Sequence, residues 1–454
     1  HDTVRRQRQM CIRDRLRINK RQTKPCGKSH TRKGVVEVAK NQTPSDSNNV
    51  RWESSADTMT EQPLNEPVLG YSPGSPERNS IIQEIDRQMS ETIEIPCIIN
   101  GEEVYTGHTI PQVIPHNHGH VLANVHLAGR EEMESACSAA VNAQRSWIEM
   151  GLEERCKIFE KCADLLAGDW RMRVNVSTML NQSKTVFQAE IDSACELIDF
   201  WRFNCHYARG FHDDFQPLVS PEGVVNSTDI RPLEGFVLSI TPFNFTSIAA
   251  NLPSAPAIVG CTSVWKPSRN SYYSNYYLMR LMMEAGLPPG VINFLPGSGA
   301  EITEVALSNP NFAGLHFTGS TATFQGLWQE IGLALPKLNS YPRIVGETGG
   351  KDFVVAHPDC DRRGLVVALL RGAFEYQGQK CSAASRAYIP RSVWEEISDE
   401  LYDEIGKIEI GDARDFTNFM TAVIDKRAFD KISGYIQRAT ERDSCEVFCG
   451  GGYD

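Results

Sequence analysis

The residues best suited to chemistry in this sequence are a cysteine and a glutamate in two glycine-containing segments. Cys381 lies in the run Gly-Gln-Lys-Cys-Ser-Ala at 378–383, and Glu347 lies in the run Gly-Glu-Thr-Gly-Gly-Lys at 346–351. A thiolate is the strongest nucleophile available there, and the carboxylate can activate water in a second step. A Cys-His hydrolase is poorly supported, because no histidine lies near Cys381 and the nearest one upstream is His357.

Short apolar runs alternate with longer amphipathic runs through the middle of the chain. The apolar runs at 235–240, 263–265, 291–295, 315–317 and 343–345 predict strands. The runs at 247–259, 274–285, 300–307 and 323–333 predict the helices between them. Strict alternation implies right-handed crossovers and a parallel sheet with helices on both faces. The predicted fold class is therefore α/β, with a doubly wound, dinucleotide-type sheet.

Ligands of such sheets bind outside the carboxyl ends of the strands. Polar and glycine-containing segments follow the predicted strands at 241–245, 266–268, 296–299, 318–320 and 346–351. Gly297 and Gly299 do not complete a G-x-G-x-x-G fingerprint, since position 302 is Ile, so an ordinary turn is favoured there over a phosphate cradle. A dinucleotide must therefore be held in another way.

Upstream of the sheet, residues 65–215 are predicted to be mainly helical. The exception is an extended piece at 95–105, where the dipeptide of Asn100 and Gly101 is a hairpin signal. The clearest helical spacing lies at 152–166 and 191–207, the second with a stripe of Cys195, Ile198, Trp201 and Cys205. The stripe is interpreted as helix packing, with contact to a cofactor as the minor alternative.

The composition bounds the class of protein. The 454 residues are 41% hydrophobic and 23% charged, as in globular proteins, and no run reaches the roughly 18 apolar residues of a membrane helix. Residues 1–40 carry 13 Lys or Arg and three acids, which leaves a net charge of −21 on the remaining chain and argues against nucleic-acid binding. The 13 cysteines include no C-x-x-C pair. They are interpreted as structural thiols in a reducing compartment, with no disulfide framework and no metal site.

The first part of the chain has a different character. Residues 1–64 are basic, then rich in Ser, Thr and Asn, without a sustained apolar period. They are predicted to be a disordered or non-native basic leader. The Arg-rich, acid-poor start resembles a mitochondrial presequence in composition, but the chain begins at His1, so a non-native leader is an equal alternative.

Five segments together resemble the motif series of the aldehyde dehydrogenase superfamily in order and spacing. They are Pro-Phe-Asn-Phe at 242–245, Trp-Lys-Pro-Ser at 265–268, Phe-Thr-Gly-Ser at 317–320, Glu-Thr-Gly-Gly-Lys at 347–351 and Gly-Gln-Lys-Cys at 378–381. The runs at 65–69, 74–78, 117–120, 188–192 and 371–385 are further similar to its delta-1-pyrroline-5-carboxylate dehydrogenase branch, which oxidises glutamate semialdehyde. The resemblance covers roughly residues 65–454.

This resemblance implies roles for four residues in a two-step oxidation. Cys381 attacks the aldehyde carbon, and the oxyanion is held by the amide of Asn244 and the backbone N–H of Cys381. After hydride transfer, Glu347 deprotonates the water that hydrolyses the thioester. Ser382 is expected to bind the carboxylate of the substrate, and a simple turn beside Cys381 is the alternative for it.

The resemblance also implies how a nicotinamide cofactor is bound. Lys266 and Ser268 resemble the contacts to the adenosine ribose, and Gly319 with Ser320 resembles the turn that meets the pyrophosphate at a helix start. No clamp for a 2′-phosphate is visible, so NAD is expected rather than NADP. For Lys351, a functional role and a role in shaping the turn after the paired glycines are equally consistent with the sequence.

The expected partners are a small aldehyde substrate and, in a homo-oligomer, further copies of the chain. No nucleic acid and no membrane is expected as a partner. The expected location is the mitochondrial matrix.

The expected architecture has an NAD-binding domain at 65–345, which includes the N-terminal helical region, and an α/β catalytic domain at 346–454. The catalytic domain is expected to be truncated, because members of the resembled family continue well beyond this point. Two alternatives stay open. A CoA-acylating semialdehyde dehydrogenase would not need Glu347 as a base, and a non-catalytic member of the superfamily would tolerate the loss of Cys381.

Overall fold

The computed structural model describes residues 62–217 and 219–453, without the side chains of 212 and 213. The predicted leader at 1–64 lies almost entirely outside these residues. The strands are β1 Ile93–Ile95, β2 Cys97–Ile99, β3 Glu102–Val104, β4 Thr109–Ile114, β5 Asn117–His126, β6 Phe236–Ile240, β7 Thr262–Lys266, β8 Ile292–Phe294, β9 Phe312–Thr318, β10 Arg343–Glu347, β11 Asp352–Val355 and β12 Ala384–Tyr388.

The helices connect these strands or pack around them. They are α1 Pro76–Met89, α2 Arg130–Glu149, α3 Leu152–Ala167, α4 Arg171–Gln182, α5 Val186–Ala189, α6 Glu196–Asp214, α7 Thr246–Ile258, α8 Tyr272–Ala285, α9 Gly299–Ser308, α10 Thr321–Ala334, α11 Arg362–Phe374, α12 Arg391–Gly406 and α13 Lys426–Thr440. A π-helical turn, Glu190–Cys195, joins α5 to α6, and short 3-10 turns occur at Arg269–Ser271, Leu335–Lys337 and Glu375–Gly378.

The largest sheet has seven strands in the order β10-β9-β6-β7-β8-β2-β3. Strands β6 to β10 are parallel, and the β2–β3 hairpin extends the sheet antiparallel to β8. The α/β fold class is confirmed, and each of the five strands predicted in the middle of the chain is present. Strand β6 is buried along four of its five residues, as expected where helices cover both faces of a parallel sheet.

Local capping explains where two of the crossover helices begin. The hydroxyl of Ser298 accepts a hydrogen bond from the Glu301 N–H at the start of α9, and the hydroxyl of Ser320 accepts one from the Thr323 N–H at the start of α10. Serine at this position satisfies one of the free N–H groups of the first turn. Both helices therefore begin at the carboxyl edge of the sheet.

The prediction of a mainly helical region at 65–215 is wrong for residues 109–126. Strands β4 and β5 form a long antiparallel pair, with β1 parallel to β5 on its other side. Register shifts occur at Gln112, Val113 and Ile114. Such irregularities break the alternation of inward and outward side chains by which a half-buried strand is identified.

The other predictions for the N-terminal region are confirmed. Asn100 and Gly101 have φ angles of 54° and 79°, and a two-residue turn of this kind needs positive φ at both positions. The helical runs predicted at 152–166 and 191–207 form helices. Their stripe residues Cys195, Ile198, Trp201 and Cys205 are buried in the core.

The segment after β10 forms a second, smaller core. Strands β11 and β12 pair in parallel, and helices α11 and α12 contribute the buried residues Val366, Val393 and Ile397. The proposed boundary between domains at 345 and 346 stays a prediction. Within the described residues there is no disulfide, and no helix combines the length and the apolarity needed to cross a membrane.

Candidate active site

Cys381 follows a backbone segment in an unusual conformation. Tyr376, Gln377 and Gly378 have φ angles of 52°, 56° and 67°, a left-handed run that is costly for the two residues with a side chain. The Tyr376 hydroxyl donates to the backbone carbonyl of Gln182 at 2.9 Å. This tyrosine is fully buried, so the helix α4 end fixes the start of the strained segment.

Further hydrogen bonds hold the same segment from the other side. The Gln377 amide donates to the carbonyl of Ala422 at 2.6 Å, and the Ile424 N–H donates to Oε1 of Gln379 at 3.0 Å. The strained backbone before Cys381 is thus held by several independent contacts. Strain maintained in this way is typical of functional sites.

The thiol of Cys381 lies against the carboxylate of Glu347. Glu347 ends strand β10, opposite Thr318 in β9, and the Cys381 thiol donates to its Oε1 with an Sγ to oxygen distance of 3.3 Å. Burial raises the pKa of the Cys381 thiol, and the hydrogen bond and charge of Glu347 raise it further. Both effects favour the protonated thiol, and the carboxylate of Glu347 lies next to it as a proton acceptor.

Asn244 follows strand β6 and contacts the segment that leads to Cys381. Its Nδ2 donates to the carbonyl of Gln379 at 2.9 Å, two residues before Cys381. An amide nitrogen carries two hydrogens, so one N–H remains for a second acceptor near the nucleophile. The predicted oxyanion role of Asn244 is compatible with this position.

A cavity of about 400 Å³ opens beside the thiol. Its apolar wall comes from Phe200, Phe245, Ile248 and Leu252, and its polar wall includes Glu196, His316, Glu347, Cys381 and Ser382. The structure thus brings together the predicted residues Glu347, Cys381 and Ser382. The cavity combines apolar lining with convergent polar groups, as small-molecule sites do.

The sequence interpretation missed two titratable residues of this cavity. Glu196 begins helix α6, accepts a hydrogen bond from the Ser247 hydroxyl, and has its carboxyl pKa raised by burial. His316 reaches the cavity from strand β9, although no histidine lies near Cys381 in the chain. Both positions depend on tertiary packing, but the polar His316 inside an otherwise apolar strand was a usable signal.

A buried charge cluster lies behind the nucleophile segment. Lys184 is fully buried and pairs with Asp192 at 2.6 Å, and Lys380 pairs with the same carboxylate at 3.0 Å. The Lys184 ammonium also lies 4.4 Å from the ring centre of Phe245 and 4.5 Å from that of Tyr376. Because a buried charge is costly without partners, these contacts restrain the residue that precedes Cys381.

The predicted cofactor residues lie along the carboxyl edge of the same sheet. Lys266 ends β7, and burial lowers the pKa of its ammonium to about 8. No hydrogen-bond or ion-pair partner for it occurs among the described residues. The Lys266 side chain lies close to the start of α9: a β-carbon added to Gly299, the first residue of that helix, would be 4.0 Å from Nζ. An ammonium withdrawn from water without a protein acceptor fits a site that awaits polar groups of a ligand.

The remaining cofactor candidates are turn and cap residues. The hydroxyl of Ser268 accepts from the N–H of Asn270, and Ser320 caps α10. The Gly319 N–H donates to the carbonyl of Glu347 at 3.1 Å, which links the turn to the strand that carries the base. A second cavity, of about 480 Å³, lies next to α10 and includes the rings of Phe324 and Trp328.

The spacing of these residues suits an extended ligand. Strand β10 carries Glu347 and strand β7 carries Lys266, with β9 and β6 between them. Three strand spacings separate the two residues, about 14 Å. A ligand that reaches both must lie across the carboxyl edge, as a dinucleotide does in doubly wound folds. The described residues contain no group of three or more His, Cys, Asp or Glu able to hold a metal ion.

Residues 104–454 match the aldehyde dehydrogenase family. The chain belongs to this family. Among similar curated proteins of the family is delta-1-pyrroline-5-carboxylate dehydrogenase of Agaricus bisporus, 48% identical over 392 residues, which are 86% of this chain and 71% of that protein. The mitochondrial delta-1-pyrroline-5-carboxylate dehydrogenase of Homo sapiens is 41% identical over 406 residues, 89% of this chain and 71% of that protein.

A solved structure within the family has the same fold over most of the chain. The Mycobacterium tuberculosis delta-pyrroline-5-carboxylate dehydrogenase bound with NAD has a TM-score of 0.85 and 48% identity, covering 88% of this chain and 75% of that one. The predicted family, and the likeness to its pyrroline-5-carboxylate branch, are confirmed.

Proposed function

We propose that this protein oxidises L-glutamate 5-semialdehyde, which forms from pyrroline-5-carboxylate, to glutamate in proline catabolism, with NAD as the oxidant. The observation that carries the proposal is the contact between the Cys381 thiol and the Glu347 carboxylate at the carboxyl edge of the parallel sheet. The names of the relatives supply the substrate class, and the NAD-bound relative supports the cofactor.

The first step uses the contact seen in the resting site. Glu347 accepts the thiol proton, and the Cys381 thiolate forms a bond to the aldehyde carbon. The carbonyl oxygen becomes an oxyanion, which accepts hydrogen bonds from the free N–H of Asn244 and from the backbone N–H of Cys381. These hydrogen bonds become stronger as negative charge develops on the carbonyl oxygen. They therefore stabilise the transition state more than the bound aldehyde.

The second step releases the acid. When bound, NAD would supply the hydride acceptor for this step, and the former aldehyde carbon would remain attached to Cys381 as a thioester. Glu347 then removes a proton from water, the hydroxide attacks the thioester, and the thiolate leaves. Overall, aldehyde, water and NAD⁺ give carboxylate, NADH and two protons. Glu347 must therefore lose the thiol proton before it can act on water.

The proposal also gives each reactant its binding residues. Lys266 and Ser268 would donate to the adenosine ribose, and the helix start at Gly319 and Ser320 would meet the pyrophosphate. Ser382 lies beside Cys381 in the cavity wall and would donate its hydroxyl to the carboxylate of the substrate. The apolar wall of Phe200, Phe245, Ile248 and Leu252 would contact the methylene chain.

The names of several relatives support a mitochondrial location, and we propose the matrix as the compartment. We also propose that the active protein is a homo-oligomer, which size-exclusion chromatography with light scattering would test.

The proposed activity is tested by following NADH absorbance with the protein expressed from its complete reading frame. Glutamate semialdehyde and propanal are compared, each with NAD and with NADP. We expect turnover with NAD and a kcat/KM at least tenfold higher for glutamate semialdehyde. Equal values for the two aldehydes would remove the substrate assignment, and a preference for NADP would remove the cofactor assignment.

A further inference from the structure

Two neighbouring strands direct a histidine and the base Glu347 to the same face of the sheet. His316 in β9 is paired with Val345 in β10, and Thr318 is paired with Glu347. Side chains two residues apart on a strand share a face, as do paired residues of adjacent strands. His316 and Glu347 therefore face the same cavity, which both of them line.

A proline in helix α7 supplies the group that orients His316. In an α-helix the carbonyl of Leu252 would accept from the N–H of residue 256, but that residue is Pro256 and has no N–H. The free carbonyl accepts instead from Nδ1 of His316 at 2.9 Å and from the Ser239 hydroxyl at 3.2 Å. Ser239 is paired with His316 in the sheet, so both donors reach one carbonyl from adjacent strands.

This contact determines which ring nitrogen of His316 carries the proton. A carbonyl oxygen only accepts hydrogen bonds, so Nδ1 is the donor, and in the neutral ring Nε2 is left with a lone pair. No partner of Nε2 occurs among the described residues. Burial lowers the pKa of His316, and the nearby Glu347 carboxylate opposes this shift. The lone pair on Nε2 gives the site a second proton acceptor beside the Glu347 carboxylate.

The other titratable groups that face this cavity are few. Glu347 comes from β10, Glu196 from α6, and Cys381 from the nucleophile segment. Helix α7 contributes the side chain of Asn251, which does not titrate, and the Ser239 hydroxyl of β6 is bonded to the Leu252 carbonyl. Burial raises the pKa values of Glu196 and Cys381. Both groups are thereby biased towards their protonated forms, which leaves His316 as the neutral base beside Glu347.

We propose that His316 receives, through water in the cavity, the proton that Glu347 takes from the Cys381 thiol. The inference rests on the proposed function. The proton leaves the Glu347 carboxyl group and joins Nε2 of His316, which becomes an imidazolium and then releases the proton to solvent. The Glu347 carboxylate is thus free again to deprotonate the hydrolytic water. Without His316, Glu347 remains protonated for longer after acylation, and thioester hydrolysis slows.

The test separates the first turnover from later turnovers in variants of the protein expressed from its complete reading frame. His316→Asn keeps an N–H donor for the Leu252 carbonyl but removes the basic Nε2. Ser239→Ala is the matched control, because it removes the other donor to the same carbonyl and leaves the imidazole intact. Stopped-flow absorbance of NADH with glutamate semialdehyde and NAD measures the initial burst and the steady-state rate.

For His316→Asn we expect a burst of one NADH per site at the wild-type rate. The steady-state rate should be lower by about 10- to 100-fold. This effect is at or below the usual range for acid-base catalysis, because water can partly replace the imidazole as the proton acceptor. Imidazole added to His316→Ala should restore part of the steady-state rate, which a purely structural role would not allow. Ser239→Ala should keep both rates within about twofold.

Three results would overturn the proposal: an unchanged steady-state rate in His316→Asn, an equal loss in Ser239→Ala, or no effect of imidazole on His316→Ala. If His316→Asn does not fold, the imidazole experiment alone decides. Absence of NADH formation by the wild-type protein would instead overturn the proposed function, so the two failures are distinguishable.

Discussion

The oxyanion role of Asn244 leads to a prediction whose size follows from the contacts of its amide. In Asn244→Ala, the donor to the developing oxyanion is lost, and the hydride step should slow by about 10² to 10³, equivalent to about 2.7–4 kcal/mol of transition-state stabilisation. The same substitution removes the hydrogen bond to the Gln379 carbonyl at 2.9 Å.

Loss of that hydrogen bond should not by itself displace Cys381. The segment stays attached through Tyr376, Gln377 and the Gln379 side chain. One neutral hydrogen bond contributes about 0.5–1.5 kcal/mol, which corresponds to a decrease in Tm of only a few degrees in a protein of this size. The kinetic loss should therefore exceed the stability loss by a wide margin.

The assay combines stopped-flow NADH absorbance with a thermal melt of the same sample. Gln377→Ala is the control, because it loosens the same segment without removing an oxyanion donor, and its hydride step should slow by less than tenfold. Asn244 is not the oxyanion donor if Asn244→Ala keeps the wild-type burst rate, or if its Tm falls so far that collapse of the segment explains the kinetic loss.

Three further predictions concern the base, the substrate contact and the cofactor lysine. Glu347→Gln should form the thioester more slowly than the wild type, because the acceptor of the thiol proton is lost, and should then stop, because the base for water is lost as well; rapid mixing should therefore show one slowly formed NADH per site, and continued turnover would contradict the role of Glu347 as the base. Ser382→Ala should lower kcat/KM for glutamate semialdehyde by about ten- to a hundredfold, the loss of one hydrogen bond to a charged group, and leave propanal nearly unaffected; parallel losses would mean that Ser382 positions Cys381. Because burial lowers the pKa of Lys266 to about 8, an amine-acylating reagent should label it selectively at pH 8, less at pH 7, and less again with NAD bound; mass spectrometry showing no preference for Lys266 would contradict its lowered pKa. The folded state holds this proton less tightly than the unfolded chain does, so stability should increase as pH rises through about 8.

Much of the fold could be predicted because local patterns and tertiary structure agree in the large sheet. Strands β6 to β10 coincide with the short runs predicted as strands, and two of the crossover helices, α9 and α10, begin at serines that cap them. The β4–β5 pair could not be predicted in the same way, because its register shifts at Gln112 and Val113 disturb the alternation. Its pairing is a property of the assembled N-terminal region.

The candidate site divides along similar lines. Cys381 and Glu347 are identifiable because their segments are unusual in sequence, and the structure brings them to 3.3 Å. The position of His316 depends on a carbonyl made available by Pro256 in another element. The buried cluster around Lys184 likewise depends on packing. The residue pattern of one segment does not show which side chain or carbonyl of another segment will contact it in the folded protein.

The whole mechanism depends on Cys381 as the site of the covalent intermediate, which can be trapped and identified. Glu347→Gln protein is mixed with glutamate semialdehyde and NAD, quenched in acid within the first turnover, and analysed by peptide mass spectrometry. We expect a glutamyl acyl group on the peptide that contains Cys381, in amount equal to the NADH formed, and neither product in a parallel Cys381→Ala sample. NADH formation without acylated Cys381, or NADH formation by Cys381→Ala, would contradict this mechanism.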